Sequence, residues 1–144
     1  MTRMKALLFA LLLGPAFPAA AAGIPVKLYK NPNCGCCNTY IDYLRSNGFQ
    51  VEAINTIDIA SINRKFDVPA ALEGCHTMVA GPYVFEGLIP AEYVKQVLNE
   101  RRPVRGLSLP GMPSGAPGMP GLKNGPLNVY YLGNESPPRV FARF

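Results

Sequence analysis

Three of the four cysteines in this chain lie within four positions, in the sequence NPNCGCCNTY at residues 31–40. The preceding run IPVKLYK alternates as a β-strand does, and the following run CCNTYIDYLRSNG has the apolar spacing of a helix. The cysteines therefore lie where a strand passes into a helix. At that position the helix dipole and the free N–H groups lower the pKa of a thiol, so the cluster constrains both fold and chemistry.

The rest of the pattern predicts an alternating α/β chain. FQVEAINT is predicted as a second strand, and DIASINRKF as a short helix capped by Asp58. CHTMVAG and YVFEG are predicted as two strands around a Gly81-Pro82 turn, and PAEYVKQVLNERR as a helix with Pro90 in its first turn. This order is typical of a thioredoxin-like sandwich. Such folds carry a proline just before the third strand, for which Pro69 is the expected counterpart.

The first 22 residues are predicted to be a removable signal peptide. Arg3 and Lys5 precede the short apolar run ALLFALLLG, and small residues follow it. That run is well below the ~20 residues that span a bilayer. We therefore predict export to the periplasm, with cleavage near Ala22 and no membrane span afterwards.

The mature chain is predicted to have three segments. A thioredoxin-like core is expected at 23–102, a Pro/Gly/Met loop at 103–126, and a C-terminal β-hairpin packed on the core at 127–144. Six prolines and six glycines fill half of the 24 loop positions, a density at which neither helix nor strand is expected. The loop repeats PGMP, which places Met112 and Met119 seven residues apart.

The charge of the chain gives no sign of a nucleic-acid partner. The formal net charge is +5, and without Arg3 and Lys5 it falls by two, to +3. No basic run is longer than two residues, so neither nucleic-acid binding nor strong membrane adhesion is indicated. About 120 mature residues can bury a modest core, so the cysteines are not required as staples.

The cysteine cluster admits three interpretations. Cys34 and Cys37 form a CxxC pair at a helix start, as in a thiol–disulfide oxidoreductase, but Cys36 is then an unexplained third thiol. Alternatively, the four cysteines are structural, with Cys34 or Cys36 joined to Cys75. Adjacent cysteines on one short turn are awkward for that purpose.

The third interpretation is a metal site. Cys34, Cys36 and Cys37, with Cys75 and His76 brought alongside by the sheet, offer up to five soft or borderline ligands. Zinc needs only four and prefers two separated pairs, whereas close thiolates suit one or several Cu(I) ions. Thioether sulfur also binds Cu(I), so Met112 and Met119 are possible additional ligands, or lids over the site. His76 is as plausible a partner of a ligand as a ligand itself.

Several motifs of the mature chain together resemble one family. They are YKNPNCGCC, VPAALEGCHTMV, PYVFEGLIPAEYV, GLSLPGMPSGAPGMPG and VFARF, and they are similar to a DUF-designated family of exported metal-binding proteins that includes CopG-type copper-resistance proteins. The resemblance implies a thioredoxin-like fold, a periplasmic location and Cu(I) held by cysteine thiolates. One departure concerns Leu88, which stands where members usually carry histidine in GHVP.

The predicted function is therefore copper binding in copper resistance or homeostasis, by sequestration or with redox conversion of copper. Expected partners are copper ions and a periplasmic copper chaperone, exporter or oxidase. The alternative is a thiol–disulfide oxidoreductase in which Cys34 and Cys37 are the catalytic pair. The expected metal ligands carried over by motif are Cys34, Cys36, Cys37, Cys75 and His76.

Overall fold

The computed structural model describes residues 22–144, so the predicted signal peptide lies, apart from its last residue, outside the described part. Seven strands and three helices follow one another along this part. The strands are β1 (Ile24–Lys30), β2 (Phe49–Asn55), β3 (His76–Ala80), β4 (Tyr83–Gly87), β5 (Gly106–Leu109), β6 (Asn128–Tyr131) and β7 (Val140–Arg143). The helices are α1 (Gly35–Ser46), α2 (Ile59–Lys65) and α3 (Ala91–Glu100), with a 3₁₀ turn at Ala70–Leu72. None of the helices in the described residues is long and apolar enough to cross a membrane.

All seven strands form one mixed sheet in the order β2-β1-β3-β4-β5-β6-β7. The pairs β1–β2 and β4–β5 are parallel, and the other neighbouring pairs are antiparallel. The predicted α/β class is thus confirmed. The two C-terminal strands pair with each other, and β6 also extends the sheet from β5.

Strand alternation separates two faces of the sheet. Leu28, Met78 and Phe85 are neighbours across β1, β3 and β4, and all three are buried in the main core with residues of α1 and α3. Their sequence neighbours point to the opposite face, where the Thr77 hydroxyl donates to Asn63 of α2 at 2.9 Å. The helix that follows the cysteines therefore packs on the main-core face.

Helix α1 buries the face that its sequence pattern predicted. Tyr40, Ile41 and Leu44 are all buried, because residues three and four apart lie on the same side of a helix. The Tyr40 hydroxyl donates to the Ile89 carbonyl at 2.8 Å, so its only polar atom is satisfied inside the core. The helix ends before Gly48, whose φ of +85° suits the glycine.

The predicted Pro/Gly/Met loop at 103–126 needs a correction, because it contains a strand. Residues 106–109 form β5, which lies between β4 and β6 and is buried throughout. The sequence GLSL within it contains no proline, and the composition of the longer window concealed this. A side chain at Gly106 would collide with the Val84 carbonyl, so the close pairing with β4 needs the glycine.

Residues 116–119 of this segment pack against the body of the protein at the start of α1. Ala116 is buried, and Met119 packs against the main core. At Gly118 a Cβ atom would lie 2.9 Å from the Cys36 carbonyl oxygen and 3.0 Å from the Tyr40 nitrogen. The second PGMP motif is therefore seated directly on the first turn of the helix that carries the cysteines.

We expect Gly118→Ala to destabilise this contact more than Gly121→Ala, the matched control. Both glycines have positive φ, +89° and +91°, so each alanine adds backbone strain of about 1–2 kcal/mol. Only residue 118 meets backbone atoms at 3 Å or less, whereas residue 121 meets the Ser114 side chain at 3.5 Å. Overpacking should add about 1–3 kcal/mol at residue 118 alone. Urea unfolding measures both losses, and equal losses would contradict the packing.

Candidate metal centre

The first cysteine of the cluster begins helix α1. Cys34 is the N-cap residue, and its Sγ accepts the backbone N–H of Cys37 at 3.3 Å. Its own N–H donates to the Asn31 carbonyl at 3.1 Å, which closes the turn between β1 and α1. The short NPN segment therefore directs all three cysteines to one end of the helix.

A disulfide joins Cys34 and Cys37, whose Cα atoms are 5.3 Å apart. This is the pair that the sequence singles out as a redox couple. Cys36 and Cys75 remain free thiols, and both are partly exposed. The structure does not pair Cys75 with Cys34 or Cys36, so the disulfide pairing considered for a stapled module is not the one observed.

The four cysteine sulfurs form one compact group. All of them lie within 4.8 Å of one another. Cys36 Sγ is 3.4 Å from Cys34 Sγ and 3.7 Å from Cys75 Sγ, and Cys75 Sγ is also 3.7 Å from Cys37 Sγ. In a tetrahedral metal–thiolate site with bonds of about 2.3 Å, neighbouring sulfurs are about 3.8 Å apart. Apart from the bonded Cys34–Cys37 pair, these sulfurs already have about the spacing of a metal-binding set.

Cys75 immediately precedes β3 and faces the start of α1. The expected counterpart of a thioredoxin proline, Pro69, is not at that position. It is instead the N-cap of the 3₁₀ turn, seven residues before β3 begins. The prediction was wrong because it rested on the nearest upstream proline, whereas the intervening turn moves the chain away. A thiol thus occupies the position facing the disulfide.

Three hydrogen bonds hold the segment that leads into Cys75. The Leu72 carbonyl accepts from the Ser108 hydroxyl at 2.6 Å, and the Glu73 carbonyl accepts from the N–H of Gly111 at 3.2 Å. The N–H of Gly74 donates to Glu86 Oε1 at 2.8 Å. Each of the three residues before Cys75 therefore has a tertiary anchor on β4, β5 or the loop after β5.

Gly74 is also constrained by packing. A Cβ atom there would lie 2.8 Å from the Cα of Gly87, so the two backbones touch. Sequence reasoning missed this contact and the anchoring role of Glu86. The only available signal was the presence of Gly74 before Cys75 and of Gly87 after Glu86. Neither glycine indicates that the two segments are in contact.

The Cys75 thiol is protonated at neutral pH in the absence of a metal. Burial, together with the charge and the hydrogen bond of Cys36, raises its pKa to about 12. A soft cation that replaced the proton would remove the penalty of a buried thiolate. The position is therefore inert as a free nucleophile but suited to a metal ligand.

His76 lies beside the four-sulfur group rather than within it. The residue is fully buried, and its ring stacks near Tyr40 with the centroids 4.9 Å apart. Nδ1 is 3.4 Å from Cys75 Sγ, and Nε2 has no hydrogen-bond partner in the part of the chain that the structure describes. Burial lowers its pKa to about 4, so the imidazole is neutral at pH 7. A neutral ring can orient Cys75 or coordinate a metal at the edge of the group.

The two loop methionines occupy different environments. Met112 Sδ lies 3.7 Å from Cys36 Sγ, and the residue is 53% exposed. Met119 packs against the main core. Within residues 22–144, the short sulfur–sulfur distances to the cysteines involve Met112 and not Met119. Leu88, at the position where the sequence resemblance leads us to expect a histidine, is fully buried in the same core. The loop thus supplies one thioether at the mouth of the group.

The chain is similar to known proteins in both sequence and fold. The family model described as "Protein of unknown function, DUF411" matches residues 72–119. Two solved structures, "Copper resistance protein copG" forms 1 and 2, are 31% and 32% identical, with TM-scores of 0.75 and 0.77. Each alignment covers 85% of this chain and 98% of the other. The search of curated proteins found no match.

The fold and the site describe a mixed α/β protein in which four cysteines form one cluster. The chain belongs to the DUF411 family, which includes the CopG-type copper resistance proteins.

Glu86 yields a test of the anchor beneath Cys75. Burial raises its pKa to about 7 from the ordinary 4.5, and Oε2 has no partner within residues 22–144. The folded protein therefore binds a proton more tightly than the unfolded chain. The stability that this proton provides is complete below about pH 4.5 and is lost as pH rises through 7.

We expect Glu86→Gln to gain stability relative to the wild type as pH rises from 5 to 8, by at most about 3 kcal/mol. Urea unfolding of the metal-free disulfide form at both pH values measures the difference. Glu52→Gln, at an exposed acidic residue on the edge strand β2, is the control and should show no such trend. A flat difference for Glu86→Gln would mean that the carboxyl is not desolvated.

Proposed function

We propose that this protein is a periplasmic copper-binding protein of copper resistance or homeostasis, in which cysteine thiolates hold Cu(I). The observation that carries the proposal is the approach of all four cysteine Sγ atoms to within 4.8 Å of one another. Similarity to two copper resistance proteins over 85% of the chain supports copper as the ion. Copper is the cargo here, and Cys34, Cys36, Cys37 and Cys75 are the proposed ligands.

The donor set favours Cu(I) over zinc. All four close donors are sulfurs, and the fifth nearby group, Met112, is a thioether, which Cu(I) accepts and zinc disfavours. Cys36 Sγ lies within 3.7 Å of three other sulfurs, those of Cys34, Cys75 and Met112. This central position suits a thiolate that bridges neighbouring ions, so the centre is proposed to hold one Cu(I) ion or several.

The disulfide links copper capacity to oxidation state. Reduction of the Cys34–Cys37 bond takes up two electrons and two protons and yields two further thiols. Each thiol that binds Cu(I) then releases its proton, including the strongly held one on Cys75. In the reverse direction, closing the disulfide releases two electrons, the number needed to reduce two Cu(II) ions to Cu(I). Redox conversion of copper is thus a chemically balanced extension of sequestration.

The fold and location form part of the same proposal. The order β2-β1-β3-β4, with β1 and β2 parallel and β3 antiparallel to its neighbours, supports a thioredoxin-like core extended by β5, β6 and β7. A cleavable leader at residues 1–22, expected from sequence, would deliver the protein to the periplasm. A copper chaperone, exporter or oxidase there is the proposed partner.

One observation favours thiol–disulfide exchange as a second candidate function. The disulfide lies at the start of α1, where the helix end favours a thiolate on Cys34. This candidate function needs Cys34 and Cys37 only, and it leaves the close approach of Cys36 and Cys75 to the disulfide unexplained.

Anaerobic Cu(I) titration of the reduced mature protein against a competing chelator tests the proposal. We expect Cys36→Ser and Cys75→Ser each to weaken Cu(I) binding by tenfold or more, about 1.4 kcal/mol per factor of ten. Met78→Leu is the control, because Met78 is a fully buried core methionine and should leave affinity unchanged. Weak copper binding by the wild type, or binding indifferent to the loss of Cys36, would contradict the copper assignment. Turnover of a disulfide substrate that survives Cys36→Ser would favour the oxidoreductase.

A further inference from the structure

Two thiols and one thioether remain together when the Cys34–Cys37 disulfide is closed. Cys36 and Cys75 are free in this state, and their sulfurs are 3.7 Å apart. Met112 Sδ lies 3.7 Å from Cys36 Sγ on the outer side of the cluster. The disulfide therefore removes two sulfurs from the proposed centre but leaves three that do not depend on it.

We propose that Cys36, Cys75 and Met112 form a separate Cu(I) site in the disulfide form of the protein. The inference rests on the proposed copper function and extends it to the oxidised state. Oxidation then lowers the copper capacity of the centre without emptying it. No redox step is involved, since the site uses the two thiols that the disulfide leaves untouched.

The spacing suits three-coordinate Cu(I). Around one ion with metal–sulfur bonds of about 2.3 Å, three sulfurs at the corners of a triangle are about 4 Å apart. The two distances from Cys36 Sγ, to Cys75 Sγ and to Met112 Sδ, are both 3.7 Å and so are close to that value. Two thiolates and a thioether are soft donors that Cu(I) prefers to the hard oxygen ligands of other cations.

A backbone hydrogen bond holds the segment of Met112 next to the segment of Cys75. The N–H of Gly111, one residue before Met112, donates to the carbonyl of Glu73, two residues before Cys75. Ligands from α1, from the segment before β3 and from the loop after β5 thus share one set of anchors. Met112 is an outlying methionine with 53% exposure, whereas Met78 is fully buried. A role of the Met112 sulfur as a metal ligand would explain why this apolar side chain is exposed.

Exposure also gives this site its role. Cys37 is buried inside the group, while Cys36 and Met112 lie on its open side. Met112 is the most exposed of these donors, so an ion at the three-sulfur site is open to exchange with solvent or with a partner's donor. Cys36, Cys75 and Met112 then retain one ion when Cys34 and Cys37 are oxidised to the disulfide.

The test compares the oxidised and reduced protein by anaerobic titration with Cu(I) supplied as its acetonitrile complex. Mass spectrometry after alkylation of free thiols verifies that only Cys34 and Cys37 are joined. We expect the oxidised protein to bind one equivalent, and Met112→Leu to weaken that binding about tenfold. X-ray absorption of the loaded oxidised form should show copper bound by sulfur alone, at three-coordinate distances.

Two further arms make the result decisive. The double variant Cys34→Ser/Cys37→Ser lacks both sulfurs of the disulfide, so no disulfide exchange can occur in it. It should also bind one Cu(I) ion, and Met112→Leu should weaken that binding. Met78→Leu is the matched control and should bind as the wild type does in both states. A loss of affinity in Met112→Leu that is accompanied by unfolding is excluded by measuring the urea midpoint of the same sample.

Three outcomes overturn the inference. Cu(I) binding by the reduced protein but not by the oxidised protein would remove the separate site and leave the proposed function intact. One equivalent bound by the oxidised protein with no effect of Met112→Leu would remove Met112 as a ligand. Failure of the reduced wild type to bind Cu(I) would overturn the proposed function itself, and the further site with it.

Discussion

The position of Cys75 against the first turn of α1 is the constraint on which the centre depends. Local sequence places three sulfurs at one helix end, but the fourth arrives only because β3 lies beside β1 and the segment before it is held in place. Backbone groups of Leu72, Glu73 and Gly74 each have a separate tertiary partner. Loss of those hydrogen bonds would leave the CxCC turn intact but would move Cys75 away from the other three cysteines.

This arrangement is costly without a bound cation. Cys75 carries a thiol whose ionisation burial opposes, His76 Nε2 is buried with no partner in the described chain, and Glu86 Oε2 is in the same condition. A buried polar group without a hydrogen bond costs about 1–3 kcal/mol. Such costs concentrate where structure serves binding rather than stability, and a cation at the sulfurs would stabilise the Cys75 thiolate that burial otherwise opposes.

How far the sequence predicted this molecule depends on whether a feature is local. The apolar spacing of α1, the Asp58 cap and the succession of strands and helices from β1 to α3 along the chain follow from neighbouring residues, and they are observed. Strand β5 was hidden because proline and glycine on both sides of GLSL dominated the composition. The Pro69 assignment failed and the role of Glu86 was missed for the opposite reason, since both depend on contacts between residues far apart in sequence.

Cys36 is the residue on which sequence and structure converge. A redox pair needs Cys34 and Cys37 only, and a staple needs neither adjacency nor a third thiol. In the folded chain, Cys36 Sγ lies within 3.7 Å of sulfurs from the helix start, from the segment before β3 and from the loop after β5. It is the one sulfur in contact with all three parts and outside the disulfide. Cys36 therefore links the Cys34–Cys37 pair to the exposed Met112, an arrangement that the proposed metal site uses and that disulfide exchange does not need.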